Sequence, residues 1–184
     1  MALFHTIGHS TRPLGEFIDI LDSQHIRLLV DVRAIPRSRT NPQFNSDILP
    51  ISLREHEIDY VHLAELGGRR ARQRGIGCSP NTFWENQSFR NFADYALTEP
   101  FARGFAKLRS LGTAKLCAIM CSEAVWWRCH RRIIADYLLF AGETVMHIFS
   151  ADKVEAAKPT PAARQIEHGK IVYAADAARV ARGE

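Results

Sequence analysis

The sequence lacks the features of a membrane or secreted protein. No run approaches the roughly 18 apolar residues that a membrane-spanning helix needs. The opening stretch, MALFHTIGHSTRP, has neither the basic start nor the apolar core of a secretory signal. Only four cysteines occur in 184 residues, which is too few for a disulfide scaffold in a chain that is 46% hydrophobic. We therefore expect a cytoplasmic protein with reduced thiols and no membrane contact.

Several local signatures are also missing. There is no CxxC pair of the kind typical of metal sites, and no helix-turn-helix, zinc-finger or RNA-module motif. The net charge of +4 is low for a dedicated nucleic-acid-binding protein. The sequence therefore predicts no metal and no other cofactor, and it leaves the oligomeric state open.

Arginine, by contrast, is abundant. It accounts for 19 of the 24 basic residues, and ten of these arginines fall in three clusters. The guanidinium group is suited to holding phosphate or carboxylate through two parallel hydrogen bonds. The clusters therefore predict affinity for a small anionic ligand if the fold brings them together. They are Arg33, Arg37 and Arg39; Arg69, Arg70, Arg72 and Arg74; and Arg128, Arg131 and Arg132.

Strand-like and helix-like segments alternate along the chain. Apolar runs predict strands over residues 2–8, 27–33, 58–64, 115–121 and 144–150. Helical spacing of apolar residues predicts helices over residues 14–21, 46–56, 89–97, 100–111 and 126–141. Such alternation predicts a three-layer α/β fold, a mostly parallel sheet with helices on both faces. We expect a single domain over residues 1–150 and a loosely attached C-terminal tail over residues 151–184.

Polar residues follow directly after the predicted strands. In a parallel α/β sheet, ligands bind outside the carboxyl ends of the strands. The segments in that position are His9–Arg12, Arg33–Arg39, Glu65–Arg74 and Cys121–Arg128. The sequence therefore predicts a functional site at this edge of the sheet.

The same segments carry a family resemblance. GHS, DVR, PRS followed by NPQF, YVHLAELGG, FADYA and MCSEAVWWRCHR occur in the order found in the domain-of-unknown-function 488 family. The chain resembles that family from about Thr6 to Ser150. The resemblance implies a small soluble bacterial or archaeal protein whose biochemical role is not established. It marks His9, Ser10, Asp31, Arg33, Pro36, Arg37, Ser38, Cys121, Glu123, Cys129, His130 and Arg131.

One hypothesis for these residues is nucleophilic catalysis by Cys121. This cysteine ends a predicted strand and precedes a predicted helix, so the helix N-terminus and Arg128 would lower its thiol pKa. The plan is similar to that of rhodanese-like domains and cysteine phosphatases, in which a strand leads a cysteine into an anion-binding loop. It departs from that plan because the loop SEAVWW has no glycine and is one residue longer than in the phosphatases. Glu123 would also oppose a thiolate.

A second hypothesis is a metal site. Cys121, Cys129, His130 and His9 would be its ligands if the fold made them converge. The spacing typical of metal sites is missing, however, and Cys129 fits equally well as a small buried residue of the predicted helix 126–141.

A third hypothesis is a charged pocket without covalent chemistry. Asp31 and Arg33 point to the same face of a strand, and Glu123 would pair with Arg33 or Arg37. His9 or His130 would act as an acid or base near neutral pH. The alternative is an ion-pair network of Asp31, Arg33 and Glu123 that only ties the strand ends together.

The sequence thus favours an enzyme or ligand-binding protein with a polar pocket for a small anionic substrate. The candidate catalytic residues are Cys121, which is also the candidate nucleophile, Glu123, His9 and His130. The candidate substrate-binding residues are Ser10, Asp31, Arg33, Arg37, Ser38, Arg128 and Arg131. The alternative is a nucleic-acid-binding protein whose arginine clusters contact phosphates while aromatic rings stack on bases. The rings in question are those of Trp84, Trp126, Trp127 and Phe44.

Overall fold

A six-stranded sheet forms the centre of the protein. The computed structural model describes residues 1–73 and 77–175. The strands lie in the order β3-β2-β4-β1-β5-β6. All neighbours are parallel except β6, which runs antiparallel to β5. The strands are β1 (Leu3–Gly8), β2 (Leu28–Asp31), β3 (Asp59–His62), β4 (Cys117–Cys121), β5 (Thr144–Ser150) and β6 (Lys153–Ala156).

Helices cover both faces of this sheet, which confirms the predicted three-layer α/β fold. On one face, Phe17 and Leu49 pack against Met120 of β4. On the other, Phe92 and Ile134 belong to a second apolar cluster. The helices of the described residues are α1 (Leu14–Ser23) and α2 (Leu49–Arg54) on the first face, and α3 (Gln87–Tyr95), α4 (Glu99–Ala114) and α5 (Arg131–Phe140) on the second. None of these helices is long and apolar enough to cross a membrane.

The carboxyl ends of β1, β2 and β4 lie side by side. Strands β2 and β4 are buried along their whole length because helices cover both of their faces. Gly8 pairs with Cys121, and Asp31 pairs with Met120. Beyond the strand ends, the backbone N–H of His9 donates to the carbonyl oxygen of Cys121 at 3.0 Å. The polar segments after these three strands therefore meet at one edge, as the parallel arrangement predicts.

The segment after β4 differs from the predicted helix over residues 126–141. Trp126–Arg128 form one turn of 3₁₀ helix, Cys129 is extended with φ −128° and ψ 149°, and α5 begins at Arg131. A nine-residue loop, Ser122 to His130, therefore separates Cys121 from the helix. Placing Cys121 at a helix N-terminus was wrong, because the extended backbone at Cys129 interrupts the helical pattern.

Residues 151–175 also differ from the expected loosely attached tail. Beyond β6, strands β7 (Ala163–Gln165) and β8 (Ile171–Tyr173) form a hairpin. Tyr173 is fully buried, and its hydroxyl donates to Asp136 of α5 at 3.0 Å. The Ala-rich composition hid these short strands, which depend on contacts with the rest of the fold. Residues 176–184 of the predicted tail, and Arg74 of the second arginine cluster, lie outside the described residues.

Candidate functional site

A cleft of about 560 Å³ opens at the carboxyl ends of β1, β2 and β4. Its lining comes from the segments after these strands, from Gly68 and Arg69 after β3, and from Ser88 and Phe89 of α3. Of the residues that the sequence proposed for the site, Asp31 and Arg131 are buried and do not line the cleft. The others line the cleft: His9, Ser10, Arg33, Arg37, Ser38, Cys121, Glu123, Arg128 and His130.

Two thiols and an imidazole meet in the buried wall of the cleft. Cys121 and Cys129 are 6% and 3% exposed. The Nδ1 atom of His130 lies 3.5 Å from the sulfur of Cys129 and 4.0 Å from that of Cys121. The three atoms all lie within 4.8 Å of one another. We call Cys121, Cys129 and His130 the thiol–imidazole cluster.

The ring of His130 is fixed by a hydrogen bond on its far side. Its Nε2 atom lies 2.9 Å from the carbonyl oxygen of Val32. Because a carbonyl oxygen only accepts, Nε2 carries the proton when the ring is neutral. The unprotonated Nδ1 atom then turns its lone pair towards the two sulfurs.

The pKa values of the two thiols are shifted in opposite directions. Burial raises the pKa of Cys129, but the hydrogen bond from Cys121 and the charge and hydrogen bonds of Arg131 outweigh it and lower that pKa to about 6. The hydrogen bond to Cys129, together with burial, raises the pKa of Cys121 to about 12. The expected lowering of the Cys121 pKa was therefore wrong, because the group that supplies positive charge is Arg131, and it contacts Cys129.

Arg131 is a buried residue that contacts the Cys129 sulfur of this cluster. It is 1% exposed. Its backbone N–H and its Nε–H lie 3.5 and 3.4 Å from the sulfur of Cys129, and its Nη2 donates to the carbonyl oxygen of Glu123. The sequence placed Arg131 among the substrate-binding residues, but its guanidinium is bound inside the protein and does not line the cleft.

Asp31 and Arg33 form an ion pair, as in the network that the sequence left as an alternative, but the Glu123 side chain is not part of it. Nε and Nη2 of Arg33 donate to the Asp31 carboxylate at 2.9 and 2.6 Å. Nη2 also donates to the carbonyl oxygen of Phe44, and Tyr60 donates to Asp31 at 2.7 Å. Asp31 is fully buried and does not line the cleft. This network joins β2, β3 and the loop at Phe44.

His9 is held by the same network. Its ring stacks on Phe44 with centroids 4.2 Å apart, and its Nδ1 donates to the carbonyl oxygen of Ser10 at 2.8 Å. Its Nε2 lies 3.3 Å from Nη1 of Arg33 and accepts from it. Burial lowers the pKa of His9 to about 4. His9 is therefore neutral near pH 7, and its lone pair is already bound to Arg33.

The unpaired cations of the cleft are at its rim. Arg69 and Arg128 are exposed, and their guanidinium groups make no hydrogen bond or ion pair within residues 1–73 and 77–175. Arg37 pairs with Asp47 at 2.9 Å on the surface. The expected pairing of Glu123 with Arg33 or Arg37 was wrong, because nearer aspartates occupy both guanidinium groups. The Glu123 side chain is exposed at the cleft.

The aromatic rings expected to stack on bases are mostly unavailable. Phe44 is fully buried and Trp84 is 5% exposed. Trp126 stacks on His147 with centroids 4.3 Å apart. Trp127 is the exposed member of the four, at 45%. The proposed base-stacking set was therefore wrong for three of its rings, since they pack within the protein.

Sequence reasoning missed two glycines that shape the site. A Cβ on Gly8 would overlap the carbonyl oxygen of Glu123, so the end of β1 touches the loop after β4 only because residue 8 is glycine. A Cβ on Gly68 would overlap the imidazole of His130. The sequence signals that could have identified them were Gly8 in the GHS motif and Gly68, the second glycine of ELGG.

The family comparison agrees with the motifs that meet in this cleft, whereas the rhodanese-like likeness finds no support. Neither the curated proteins nor the solved structures include a significant match to the chain. A family model, Domain of unknown function DUF488, matches residues 13–138. These are 126 of the 184 residues, well over half of the chain. The chain therefore belongs to the DUF488 family.

Proposed function

We propose that this protein is an enzyme that binds a small anionic substrate in the cleft and reacts with it at the thiol–imidazole cluster. The observation that carries this proposal is that one cleft holds both a buried thiol pair and two arginines without a partner in the part of the chain that the structure describes. Arg69 and Arg128 line the same cleft as Cys121 and Cys129.

The rim supports binding of an anion. Arg69 and Arg128 have no acidic partner within the described ranges, so their charge is available to a ligand. Four arginines and one carboxylate, that of Glu123, line the cleft, and an excess of positive charge raises the local concentration of anionic ligands. The cleft lining also offers hydroxyl groups, those of Ser10, Ser38, Thr40 and Ser122.

The buried wall supports chemistry at sulfur. A thiolate is the nucleophilic form of cysteine, and N–H groups directed at the sulfur favour that form. Arg131 directs two such groups at Cys129. We therefore assign the reactive thiolate of the metal-free protein to Cys129, with Cys121 as its hydrogen-bond donor, rather than to Cys121 as the sequence suggested.

The experiment compares two alkylating agents that differ in charge. Iodoacetate and iodoacetamide both alkylate sulfur through their CH₂ carbon with loss of iodide, but only iodoacetate is an anion. Peptide mass spectrometry would give the rate at each cysteine of the metal-free protein. We expect the iodoacetate-to-iodoacetamide rate ratio at the cluster to fall severalfold in the Arg69→Ala/Arg128→Ala double variant. Inorganic phosphate should slow the labelling of the wild type.

Arg103→Ala is the matched control, because Arg103 is an exposed arginine on α4, away from the cleft. It should leave the ratio unchanged. A ratio that is the same in all three proteins would overturn the proposal. Protection by a single-stranded oligonucleotide, but not by phosphate or pyrophosphate, would instead support the nucleic-acid alternative. That protection should weaken steeply as salt is raised.

A further inference from the structure

We propose that the thiol–imidazole cluster is a zinc site. Its ligands are Sγ of Cys121, Sγ of Cys129 and Nδ1 of His130, and its fourth coordination position is open to the cleft. The site itself does not depend on the proposed function. Only the role of the open position, which would meet the anionic ligand, rests on that proposal.

The distances suit a tetrahedral ion. With Zn–S bonds of about 2.3 Å and Zn–N bonds of about 2.0–2.1 Å, sulfur and nitrogen ligands lie about 3.5 Å apart. The Cys129 sulfur lies 3.5 Å from Nδ1 of His130, and the Cys121 sulfur lies 4.0 Å from it. A shift of the Cys121 sulfur by about half an ångström would bring it to that distance from Nδ1. The two sulfurs lie within 4.8 Å of each other, and a tetrahedral ion would hold them about 3.8 Å apart.

The imidazole is oriented as a metal ligand before any ion binds. Histidines that bind metals donate their second ring N–H to a carboxylate or a backbone carbonyl, which fixes both tautomer and ring direction. His130 has this arrangement through Val32. The backbone of Gly68 packs on its ring, and Phe92 contacts it edge-on with centroids 4.9 Å apart. Little rearrangement of His130 is then needed on binding.

The charges and the softness of the ligands select the ion. Two thiolates balance the charge of Zn²⁺, and the N–H groups of Arg131 hydrogen-bond to one of the sulfurs. Sulfur and imidazole ligands favour zinc over magnesium or calcium, which prefer oxygen. The one carboxylate nearby in sequence, Glu123, is exposed and is not part of the cluster.

Three protein ligands leave one position for water or substrate, as in catalytic zinc sites. All three ligands line the cleft that also holds Arg69 and Arg128. The metal-free protein thus has a free thiol pair in the cleft. The zinc-loaded protein would present a metal ion to the same anion, with both sulfurs withdrawn from alkylation.

The test is a titration of the metal-free, full-length protein with Zn²⁺ and with Co²⁺ as a spectroscopic probe. We expect one equivalent to bind, and Co²⁺ to give a thiolate charge-transfer band and the intense visible bands of a tetrahedral site. Cys121→Ser, Cys129→Ser and His130→Asn should each weaken binding by at least about 100-fold, more than loss of an outer-shell partner costs. Cys117→Ser, a buried thiol on the same strand, and Cys78→Ser, an exposed one, should bind as the wild type does.

Alkylation mapping on the wild type makes the test independent of variant folding. Zinc should protect Cys129, the reactive thiol of the metal-free protein, while the exposed Cys78 stays labelled. No binding at one equivalent, or binding without protection of Cys129, would overturn the zinc site. If zinc fails to bind but the iodoacetate-to-iodoacetamide rate ratio still depends on Arg69 and Arg128, the proposed function stands without the zinc site. If zinc binds but that rate ratio does not depend on the two arginines, the zinc site stands and the proposed function fails.

Discussion

The Nε2 atom of His130 lies 2.9 Å from the carbonyl oxygen of Val32, a residue 98 positions earlier in the chain. This hydrogen bond joins the segment after β2 to the start of α5. It holds the imidazole so that Nδ1 faces Cys121 and Cys129. The orientation of the candidate site therefore depends on a contact between two distant segments, and the predictions below test such contacts.

Gly68→Ala should disturb the site without altering a ligand. The added Cβ would overlap the His130 ring at Nδ1, so the imidazole or the backbone at residue 68 must shift, which disturbs the placement of Nδ1 against the two sulfurs. We expect zinc affinity to fall by about 10–100-fold, the range seen when an outer-shell contact of a metal site is lost. Gly15→Ala is the control, since nothing lies within 4 Å of its Cβ position. Equal zinc affinity in both variants, measured by Co²⁺ competition, would contradict the prediction.

Arg33→Met should strongly destabilise the fold. Removing the guanidinium leaves the fully buried Asp31 carboxylate without its cation, which typically costs about 3–5 kcal/mol. Arg37→Met removes only an exposed pair with Asp47 and should cost less than about 1 kcal/mol. Denaturant unfolding of the two variants measures the difference. A small decrease in the free energy of unfolding for Arg33→Met would mean that the Arg33–Asp31 pair does not stabilise the fold.

Asp136 should make stability fall as pH rises between about 4 and 6. Burial raises the pKa of this carboxyl from 3.8 to about 6. In that window the folded protein keeps a proton that the unfolded chain has lost, so the free energy of unfolding decreases with increasing pH. Below the window both states are protonated, and above it the full cost of about 3 kcal/mol is reached.

Asp136→Asn isolates this contribution. Its amide can keep a partner for both the Thr160 backbone N–H and the Tyr173 hydroxyl. The stability difference between wild type and variant should therefore change across this pH window and be flat outside it. Urea unfolding at several pH values measures that difference. A constant difference from pH 4 to 7 would contradict the raised pKa.

Tyr173→Phe tests whether the C-terminal hairpin is part of the domain. The buried hydroxyl donates to Asp136, and its loss should cost about 1.5–3 kcal/mol, as for other hydrogen bonds to a charged group. Ile166→Ala, at an exposed position of the same segment, should change stability by no more than about 0.5 kcal/mol. Thermal unfolding of both variants gives the comparison. Equal effects would favour the loosely attached tail expected from the sequence.

Errors in the sequence-based picture arise where a local pattern was too short to decide the structure. Helical spacing over residues 126–141 suggested one helix, yet the extended backbone at Cys129 starts α5 later and brings that cysteine to Cys121. Strands β7 and β8 have three residues each, so they depend on pairing and on burial against α5 rather than on their own pattern. In both regions, contacts with distant segments outweigh local propensity.

The sequence by itself determined the α/β class, the parallel sheet and the edge at which polar residues gather. Those features follow from the period of apolar residues and from the rule that parallel strands end together. Only the tertiary structure decided which groups are free and which are bound. Arg33 is held by Asp31 while Arg69 has no partner among the described residues, and Cys129 rather than Cys121 receives the N–H groups of Arg131. These choices depend on distances of a few ångströms between segments far apart in the chain, which no local spacing records.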